Sequence, residues 1–372
     1  MNLETIPTPG LLLDVGRVRR NAKRIGERVR NFGTDLRPHV KTHKSIEVAR
    51  IQTEGHSGGI TVSTLAEARA FAAHGFNDIT YAVPIEPGKF RAALDLAESC
   101  EHLRLITDDP EVPALLDQAA RKANLRVDLF LKVDSGYHRC GVEPDSSAAL
   151  AIPQSIADSA NLRFAGILTH AGHSYHYPKV EERLTVARQE RDVMHQLAER
   201  LRNSGIEVPT VSVGSTPTIT VVDHLEGINE ARPGNYIFFD AFQASIGSCT
   251  FDDCALTVLA AVVHRDLKRD KVIIDAGAVA LSKDRGAIEF DLGCGYGRVL
   301  DIEGQDLGLK VDTVSQEHGE IEVRNSHISK LRVGTRVRVL ANHSCLSAAQ
   351  HSHYSVLENG QIVDLWEIQR GW

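Results

Sequence analysis

The sequence has no long basic run and no apolar segment long enough to cross a bilayer. Its 372 residues carry a formal net charge of −7. A protein that binds a polyanion normally presents a basic surface, so we expect no nucleic-acid partner. The apolar run of residues 11–13 is shorter than the roughly 7–15 residues of a signal-peptide core, and a membrane span needs about 20. We therefore expect a soluble, cytoplasmic protein with no membrane partner.

Cysteine is scarce and scattered along the chain, without the close spacing of a disulfide framework. The six cysteines are Cys100, Cys140, Cys249, Cys254, Cys294 and Cys345. A reduced cytosolic enzyme carries such thiols as small core residues. The sequence also lacks a GxGxxG motif after its first predicted strand, so a dinucleotide-binding fold has no support.

Two regions differ in their pattern. From residue 10 to 245, short apolar runs alternate with amphipathic stretches, and the predicted strands cover 36–40, 59–63, 79–83, 103–107, 127–133, 164–170, 210–214 and 227–234. Eight βα units in roughly 230 residues favour a (β/α)8 TIM barrel over an open sheet. From residue 250 to 372, alternating and β-branched runs replace the helical pattern. We predict an α/β protein with a barrel over residues 10–245 and a C-terminal β-rich domain over 250–372, joined by residues 1–9.

Lys41 directly follows the first predicted strand, in the stretch RPHVKTHKS of residues 37–45. Reactive groups of barrel enzymes lie at the carboxyl ends of the strands. Lys41 is therefore expected at the mouth of the barrel, where it can reach a bound ligand. The alternative is a solvated loop lysine.

Glycine and hydroxyl residues follow the last two predicted barrel strands. They are Gly214, Ser215 and Thr216 after the seventh strand, and Gly234, Asn235 and Tyr236 after the eighth. Barrel enzymes commonly bind phosphate at these two loops, where backbone N–H groups and hydroxyls donate to the anion. A capped turn is the alternative for either loop. A phosphate site together with Lys41 favours pyridoxal 5′-phosphate (PLP), although a phosphorylated sugar would use the same loops.

His343 and Cys345 stand two residues apart in the motif NHSC. On an extended segment both side chains face the same way and could share one metal ion. A nitrogen and a sulfur ligand suit Zn²⁺ better than harder divalent metals. The alternative is a core cysteine beside a surface histidine.

Two further loops offer side chains to the barrel mouth. HAGHSYHY, residues 170–177, follows the sixth predicted strand, and we expect His170 and Tyr175 to bind near the cofactor. A metal site formed by its histidines, or a loop without function, are the alternatives. DSGYHRCGV, residues 134–142, offers Arg139, which would otherwise be a solvated arginine in an Asp-Ser-Gly turn.

These motifs stand in an order that resembles one family. The quoted segments, with TPGLLLDVGRVRRNAKRI near the start and GW at the end, resemble the D-serine dehydratase and D-threonine aldolase family of the alanine-racemase-like fold. The resemblance runs from residue 7 to residue 372. It implies that the barrel binds PLP covalently at Lys41 and by its phosphate at residues 214–216 and 234–236. It further implies a metal at His343 and Cys345, and a homodimer.

The resemblance also narrows the set of expected reactions. The histidine–cysteine pair looks like the zinc-dependent dehydratases, which eliminate water from D-serine or 3-hydroxy-D-aspartate. The same family contains aldolases that split a D-β-hydroxy-amino acid into glycine and an aldehyde. A racemase would not need the metal pair, and non-enzymatic cofactor carriers of this fold are typically single-domain. We expect a small D-amino acid as the substrate.

Overall fold

A computed structural model describes residues 3–286, 290, 294–323 and 329–372. The chain divides into two compact units. The barrel unit comprises residues 24–41, 52–234 and 370–372, and the β-rich unit comprises residues 1–23, 42–51 and 235–369. Peptide bonds that pass from one unit to the other include Lys41–Thr42 and Gly234–Asn235.

The described residues contain strands and helices throughout. The strands are β1 Gly10–Asp14, β2 Asp35–Leu36, β3 Ile60–Val62, β4 Asp78–Pro84, β5 His102–Thr107, β6 Val127–Lys132, β7 Leu162–Leu168, β8 Thr210–Val213, β9 Glu230–Ala231, β10 Leu256–Asp266, β11 Lys271–Ile274, β12 Gly297–Leu300, β13 Asp306–Lys310, β14 Thr313–Val314, β15 Gly319–Glu322, β16 Arg336–Ala341, β17 His353–Glu358 and β18 Gln361–Glu367. The helices are α1 Val15–Asn31, α2 Ile46–Thr53, α3 Leu65–Ala72, α4 Phe90–Ala97, α5 Val112–Ala123, α6 Ala148–Ala157, α7 Val180–Asn203, α8 Thr216–Val221, α9 Ala241–Ser245, α10 Ala278–Leu281 and α11 Ser344–Gln350.

Strands β2 to β9 form one parallel sheet in the barrel unit, in the order β2-β9-β8-β7-β6-β5-β4-β3. A parallel bridge between His39 and Thr61 connects the segment after β2 to β3, so the sheet closes on itself. All six residues of β6 are buried, as expected of a parallel strand covered on both faces. The predicted (β/α)8 barrel is confirmed, and each predicted strand overlaps an observed one.

Helices lie between the strands where the amphipathic patterns predicted them. Thr64 caps α3, since its hydroxyl accepts a hydrogen bond from the Glu67 N–H at 3.0 Å. Helix α7 ends at Asn203, and Gly205 follows in a left-handed conformation with φ +83°. The sequence Asn203-Ser204-Gly205 is a typical helix stop signal, and the helix ends there.

The first barrel strand is shorter than predicted. The apolar pattern predicted a strand over residues 36–40, but β2 ends at Leu36. Pro38 has no N–H to donate to a ladder, and only the isolated bridge of His39 follows it. Lys41 consequently lies in a short 3-10 turn, Val40–Thr42, after the extended segment.

Buried ion pairs link the first barrel strand to its neighbours. Arg37, which follows β2, is 4% exposed and donates to Glu230 in β9 at 2.5 Å. Its guanidinium also donates to both carboxylate oxygens of Asp78 at 2.8 and 2.9 Å. Bidentate pairing of this kind compensates the cost of burying the charges. It stabilises the place where the barrel closes.

The β-rich unit contains a ten-stranded sheet. Its main path is β13-β12-β16-β10-β1-β17-β18, and β11, β14 and β15 extend it from β10. The alternating runs after residue 250 predicted this β structure, which is confirmed. Part of one predicted run, residues 321–331, lies outside the described residues. A cluster of Ile6, Leu12, Leu259, Leu357 and Ile362 packs in this unit.

Within the described parts of the chain, no helix combines the length and the apolar character that a membrane span requires. All six cysteines are free thiols in the structure.

A glycine in the barrel provides a test of this packing. Gly166 in β7 has φ +128°, and an added Cβ would lie 2.0 Å from the Thr210 carbonyl oxygen in β8. We expect Gly166→Ala to lower the free energy of unfolding by about 3 kcal/mol. Gly205→Ala, with φ +83° but no heavy atom within 4 Å of the added carbon, should cost only about 1 kcal/mol. Thermal or denaturant unfolding measures both, and equal losses would contradict the close approach of β7 and β8.

Candidate active site

Lys41 lies close to two imidazole rings of the barrel unit. Burial lowers the pKa of His39 and of His170 well below 6.5, and the positive charge of Lys41 lowers each further. Both rings are therefore neutral at pH 7. Nδ1 of His39 is shielded from solvent and has no hydrogen-bond partner among the described residues. A shielded nitrogen of this kind is costly unless a ligand or water meets it.

The loop after β8 begins with Gly214 and leads into α8. Gly214 has φ +138°, and an added Cβ would lie 2.7 Å from the main-chain nitrogen of Arg232. Ser215 is the N-cap of α8, and its hydroxyl accepts a hydrogen bond from the Thr218 N–H. The capped turn considered as an alternative is therefore present. Thr216, the third predicted phosphate residue of this loop, is 1% exposed.

His170 reaches the same loop from the end of β7. Its Nδ1 lies 2.9 Å from the Gly214 carbonyl oxygen and donates a hydrogen bond to it. The structure thus brings His170 and Gly214 together, as predicted for neighbouring barrel loops. Tyr175 lies further along, half-buried in the 3-10 turn Gly172–His176. Its role at a cofactor stays a prediction.

Arg139 and His170 both contact the ring of Tyr137. Its guanidinium lies over the Tyr137 ring at 5.0 Å from the centroid, and that ring meets His170 edge-on at 6.1 Å. The Asp-Ser-Gly turn considered as an alternative also forms, since one Asp134 oxygen accepts from three main-chain N–H groups. Arg139 itself is exposed.

Lys132, the last residue of β6, is a site residue that sequence reasoning missed. It is 5% exposed, and burial is the main cause that lowers its pKa to about 8. Its amine donates only to the Val133 carbonyl at 3.3 Å, and it has no carboxylate partner in the described parts of the chain. A lysine inside the apolar run VDLFLKV was the available signal, because a buried ammonium is rare without a partner.

Arg232, which follows β9, was also missed. It is 6% exposed, and its guanidinium donates to the Ser212 hydroxyl and to the Thr169 carbonyl oxygen. The charges of Glu230 and Glu190 act on Arg232, and that of Glu190 also acts on Lys132. Lys41, Lys132, Arg139 and Arg232 are the cations that this part of the barrel unit offers to an anionic ligand.

The predicted metal pair lies in the β-rich unit, but not on an extended segment as expected. His343 has extended backbone angles and precedes α11, whereas Cys345 lies in the first turn of that helix. The spacing argument from strand geometry is therefore wrong for this pair. The two side chains nevertheless lie close enough to affect each other's pKa.

Two neighbours fix the pair. Asp284 accepts a hydrogen bond from Nδ1 of His343 at 2.7 Å, which leaves Nε2 as the other ring nitrogen. The Cys345 sulfur lies 3.3 Å from the Thr42 hydroxyl. A carboxylate behind a histidine is a common way to fix the tautomer of a metal ligand. Asp284 was missed because it is 59 residues from His343 in the chain.

The charges of the pair favour metal binding. Burial lowers the pKa of His343, but Cys345 and Asp284 raise it well above its ordinary value. Burial raises the pKa of Cys345, but His343 and the Thr42 hydroxyl lower it below that of a free thiol. Each side chain therefore favours the charged form of the other. A metal ion can replace a proton at this pair, because thiolate and neutral imidazole are the forms that bind metals.

Asn235 and Tyr236 lie in the 3-10 turn Asn235–Ile237 of the β-rich unit, and both are buried. The Asn235 amide donates to Asp240 at 2.8 Å and lies 3.6 Å from the Cys345 sulfur. The structure therefore brings Asn235 to the metal pair. The phosphate role predicted for this segment, with Gly234 before it, stays a prediction.

Another group in the described residues has metal-like spacing. Asp134, His138 and Glu143 offer ligand atoms within 4.8 Å of one another. One oxygen of Asp134 already accepts three N–H groups, and the other two residues are exposed, so we assign no metal to this group. His170, His173 and His176 do not form such a group within the described ranges.

Two protein-family models and a solved structure match this chain. Residues 13–241 match the family model of the alanine racemase N-terminal domain, and residues 255–357 match that of a serine dehydratase domain. A solved structure of D-threo-3-hydroxyaspartate dehydratase, a cysteine-to-alanine variant in the metal-free form, has a TM-score of 0.97 and 37% identity. The match covers 100% of each chain.

Curated relatives match over at least 93% of their length. The D-threo-3-hydroxyaspartate dehydratase of Delftia sp. (strain HT23) is 38% identical, over 100% of this chain and 99% of its own. The D-serine dehydratase of Dictyostelium discoideum is 34% identical, over 100% and 98%. The D-threonine aldolase of Arthrobacter sp is 29% identical, over 98% and 93%. The chain belongs to the alanine-racemase-like family, in the group whose N-terminal barrel is followed by a serine dehydratase domain.

Proposed function

We propose that this protein is a PLP- and zinc-dependent dehydratase of a small D-β-hydroxy-amino acid, either D-serine or D-threo-3-hydroxyaspartate. Loss of water and hydrolysis of the resulting C=N bond give a 2-oxo acid and ammonia, and the water lost is taken up again in the hydrolysis. The observation that carries this proposal is the His343–Cys345 pair with Asp284 behind it, in a chain similar over its full length to two dehydratases.

The barrel unit fits PLP. Lys41 would hold the cofactor through its amine, and the loop of residues 214–216 would hold its phosphate, as would residues 234–236. When bound, PLP withdraws electrons from Cα of the amino acid and so acidifies its proton. The cationic side chains of Lys41, Lys132 and Arg232 suit the phosphate and the carboxylate of the substrate.

Lys41 is also the proposed general base. It is the exposed amine next to His39 and His170, and it would take the Cα proton of the substrate. The two neighbouring rings are neutral, so they add no positive charge around the amine. His170 keeps the Gly214 carbonyl in place through Nδ1, and Tyr175 and Arg139 are proposed to bind near the cofactor.

His343 and Cys345 are the proposed zinc ligands. Two protein ligands leave positions for water or substrate, as a catalytic zinc site requires. When bound there, Zn²⁺ acts as a Lewis acid on the β-hydroxyl group, which is otherwise a poor leaving group. The thiolate of Cys345 favours zinc over the harder divalent metals. Asp284 keeps the proton of His343 on Nδ1, so that Nε2 is free to bind the metal.

A D-threonine or 3-hydroxy-D-amino-acid aldolase is the second candidate. It would use the same lysine and cofactor to break the Cα–Cβ bond and release glycine. The Arthrobacter aldolase is related over most of this chain, which supports keeping the alternative. The higher identity to the two dehydratases and the thiolate ligand favour the dehydratase. Assembly as a homodimer and a cytoplasmic location stay predictions from the family resemblance.

Product analysis tests the proposed activity. We expect purified protein to convert D-serine or D-threo-3-hydroxyaspartate into equal amounts of 2-oxo acid and ammonia. A chelator should abolish the reaction, and added Zn²⁺ should restore it, because the hydroxyl group leaves slowly without a Lewis acid. D-threonine is the diagnostic third substrate. Glycine and acetaldehyde from it, without ammonia, would exclude the dehydratase and support the aldolase.

Substitution of Lys41 tests the cofactor assignment. We expect Lys41→Ala to lose the visible absorption band of lysine-bound PLP and about 10³-fold or more of the activity, because one amine both holds the cofactor and moves the proton. Lys122→Ala, on the exposed side of α5, is the matched control and should change neither property. An unchanged band in Lys41→Ala would show that another lysine carries the cofactor.

Substitution of Asp284 tests the metal site. In Asp284→Asn the amide would donate to Nδ1 of His343 and move the ring proton to Nε2, the nitrogen that must bind zinc. We expect zinc affinity to fall by about 10- to 100-fold in a competition assay with a coloured chelator. Asp364→Asn, on the exposed strand β18, is the control. Equal zinc affinity in both variants would remove the proposed role of Asp284.

A further inference from the structure

Helix α7 places one buried carboxylate inside the barrel unit. Glu190 is 2% exposed, and one of its oxygens accepts hydrogen bonds from the main-chain N–H groups of Ala171 at 3.0 Å and Gly214 at 3.2 Å. Its other oxygen accepts a hydrogen bond from the Thr218 hydroxyl at 3.0 Å. One side chain therefore joins the loop after β7 to the loop after β8.

These two loops carry residues assigned to the cofactor. Ala171 directly follows His170, and Gly214 begins the loop that continues through Ser215. Gly214 is held from both sides, since its N–H donates to Glu190 and its carbonyl accepts from His170 at 2.9 Å. Because Glu190 takes the Gly214 N–H, that group is not free for a phosphate oxygen. The contribution of Gly214 is therefore to the shape of the loop, which its φ of +138° permits.

A polar network extends from Glu190 into the predicted phosphate segment. The Thr218 hydroxyl that donates to Glu190 also lies 3.0 Å from the Ser215 hydroxyl. The Ser215 hydroxyl in turn lies 3.0 Å from that of Ser174 in the loop after β7. All of these groups are buried. Loss of the carboxylate would leave two main-chain N–H groups without a partner, so the loops would have to move.

Burying a carboxylate at this position costs desolvation free energy unless hydrogen bonds compensate it. Burial raises the pKa of Glu190, and the hydrogen bonds from Gly214, Ala171 and Thr218 oppose that rise, as does the charge of Arg232. An apolar side chain would fill the same space without the desolvation cost. The three donors explain why a carboxylate stands there.

We propose that Glu190 is a positioning residue for cofactor binding, which holds the loops after β7 and β8 in the arrangement that receives the phosphate of PLP. It acts through the main-chain N–H groups of Ala171 and Gly214 and does not itself contact the cofactor. This inference rests on the proposed function, because it takes PLP as the ligand of these loops.

Three substitutions of Glu190 distinguish an effect of loop geometry from an effect of the negative charge. Glu190→Gln keeps a carbonyl oxygen for the two N–H groups, and its amide can donate to the Thr218 hydroxyl, which can turn to the Ser215 carbonyl at 3.2 Å. Glu190→Ala removes every acceptor. Glu190→Asp keeps the charge but withdraws the carboxylate by one methylene, and it serves if the alanine variant does not fold. Glu199→Ala, an exposed glutamate of the same helix, is the matched control.

The experiment compares two ligands that differ only in the phosphate. Full-length protein freed of cofactor is titrated with PLP and with pyridoxal, and Kd is measured by absorbance for each variant. The Kd of pyridoxal divided by the Kd of PLP reports the contribution of the phosphate. We expect this ratio to fall by about 10-fold in Glu190→Ala, or to a smaller extent in Glu190→Asp, because loop donors are displaced. Glu190→Gln and Glu199→Ala should keep the ratio of the wild type, and thermal unfolding checks that each variant is folded.

The outcomes distinguish this inference from the proposed function. If the wild-type protein binds PLP with a clear preference over pyridoxal and Glu190→Ala or Glu190→Asp keeps that preference, Glu190 has no positioning role. A ratio that falls as far in Glu190→Gln as in Glu190→Ala also overturns it, since the effect would then come from charge. If the wild-type protein binds neither ligand, the proposed function itself fails.

Discussion

Glu190 and Arg232 are buried charged side chains of the barrel unit, and the hydrogen bonds that they need fix the segments after β7 and β8. Glu190 accepts from main-chain N–H groups after β7 and β8. Arg232, after β9, donates to the Ser212 hydroxyl and the Thr169 carbonyl. Each bond joins residues at least 19 positions apart in the chain. The loops are therefore held by interior charges as well as by apolar packing.

Charged side chains of the β-rich unit also stabilise one another. There His343 and Cys345 each favour the charged form of the other, and Asp284 accepts a hydrogen bond from the histidine. A metal ion bound by such a pair displaces a proton, and the sulfur and nitrogen then face a positive charge. In the barrel unit, by contrast, the buried amine of Lys132 donates to no carboxylate among the described residues.

The outline of the molecule could be predicted because its signals are local. Eight apolar runs with helical stretches between them predicted the barrel, and loss of helical periodicity after residue 250 predicted the second sheet. Two local inferences were wrong for local reasons. The first strand stops at Leu36 because Pro38 cannot donate to the ladder, and Cys345 starts a helix instead of continuing a strand. Lys41 still follows the first barrel strand, and His343 still has extended backbone angles.

The amino-acid sequence by itself determined the alternation of strands and helices in the barrel and the β-rich character after residue 250. It also determined that a lysine, two loops rich in glycine and hydroxyls and a histidine–cysteine pair are present. Only the tertiary structure decided which distant carboxylates stand behind these groups. Glu190 lies 24 residues from Gly214, and Asp284 lies 59 residues from His343. No periodicity relates such pairs, because each depends on how the helix or loop that carries the carboxylate packs. Hydrogen bonds of that range follow from the closed fold and not from any local pattern.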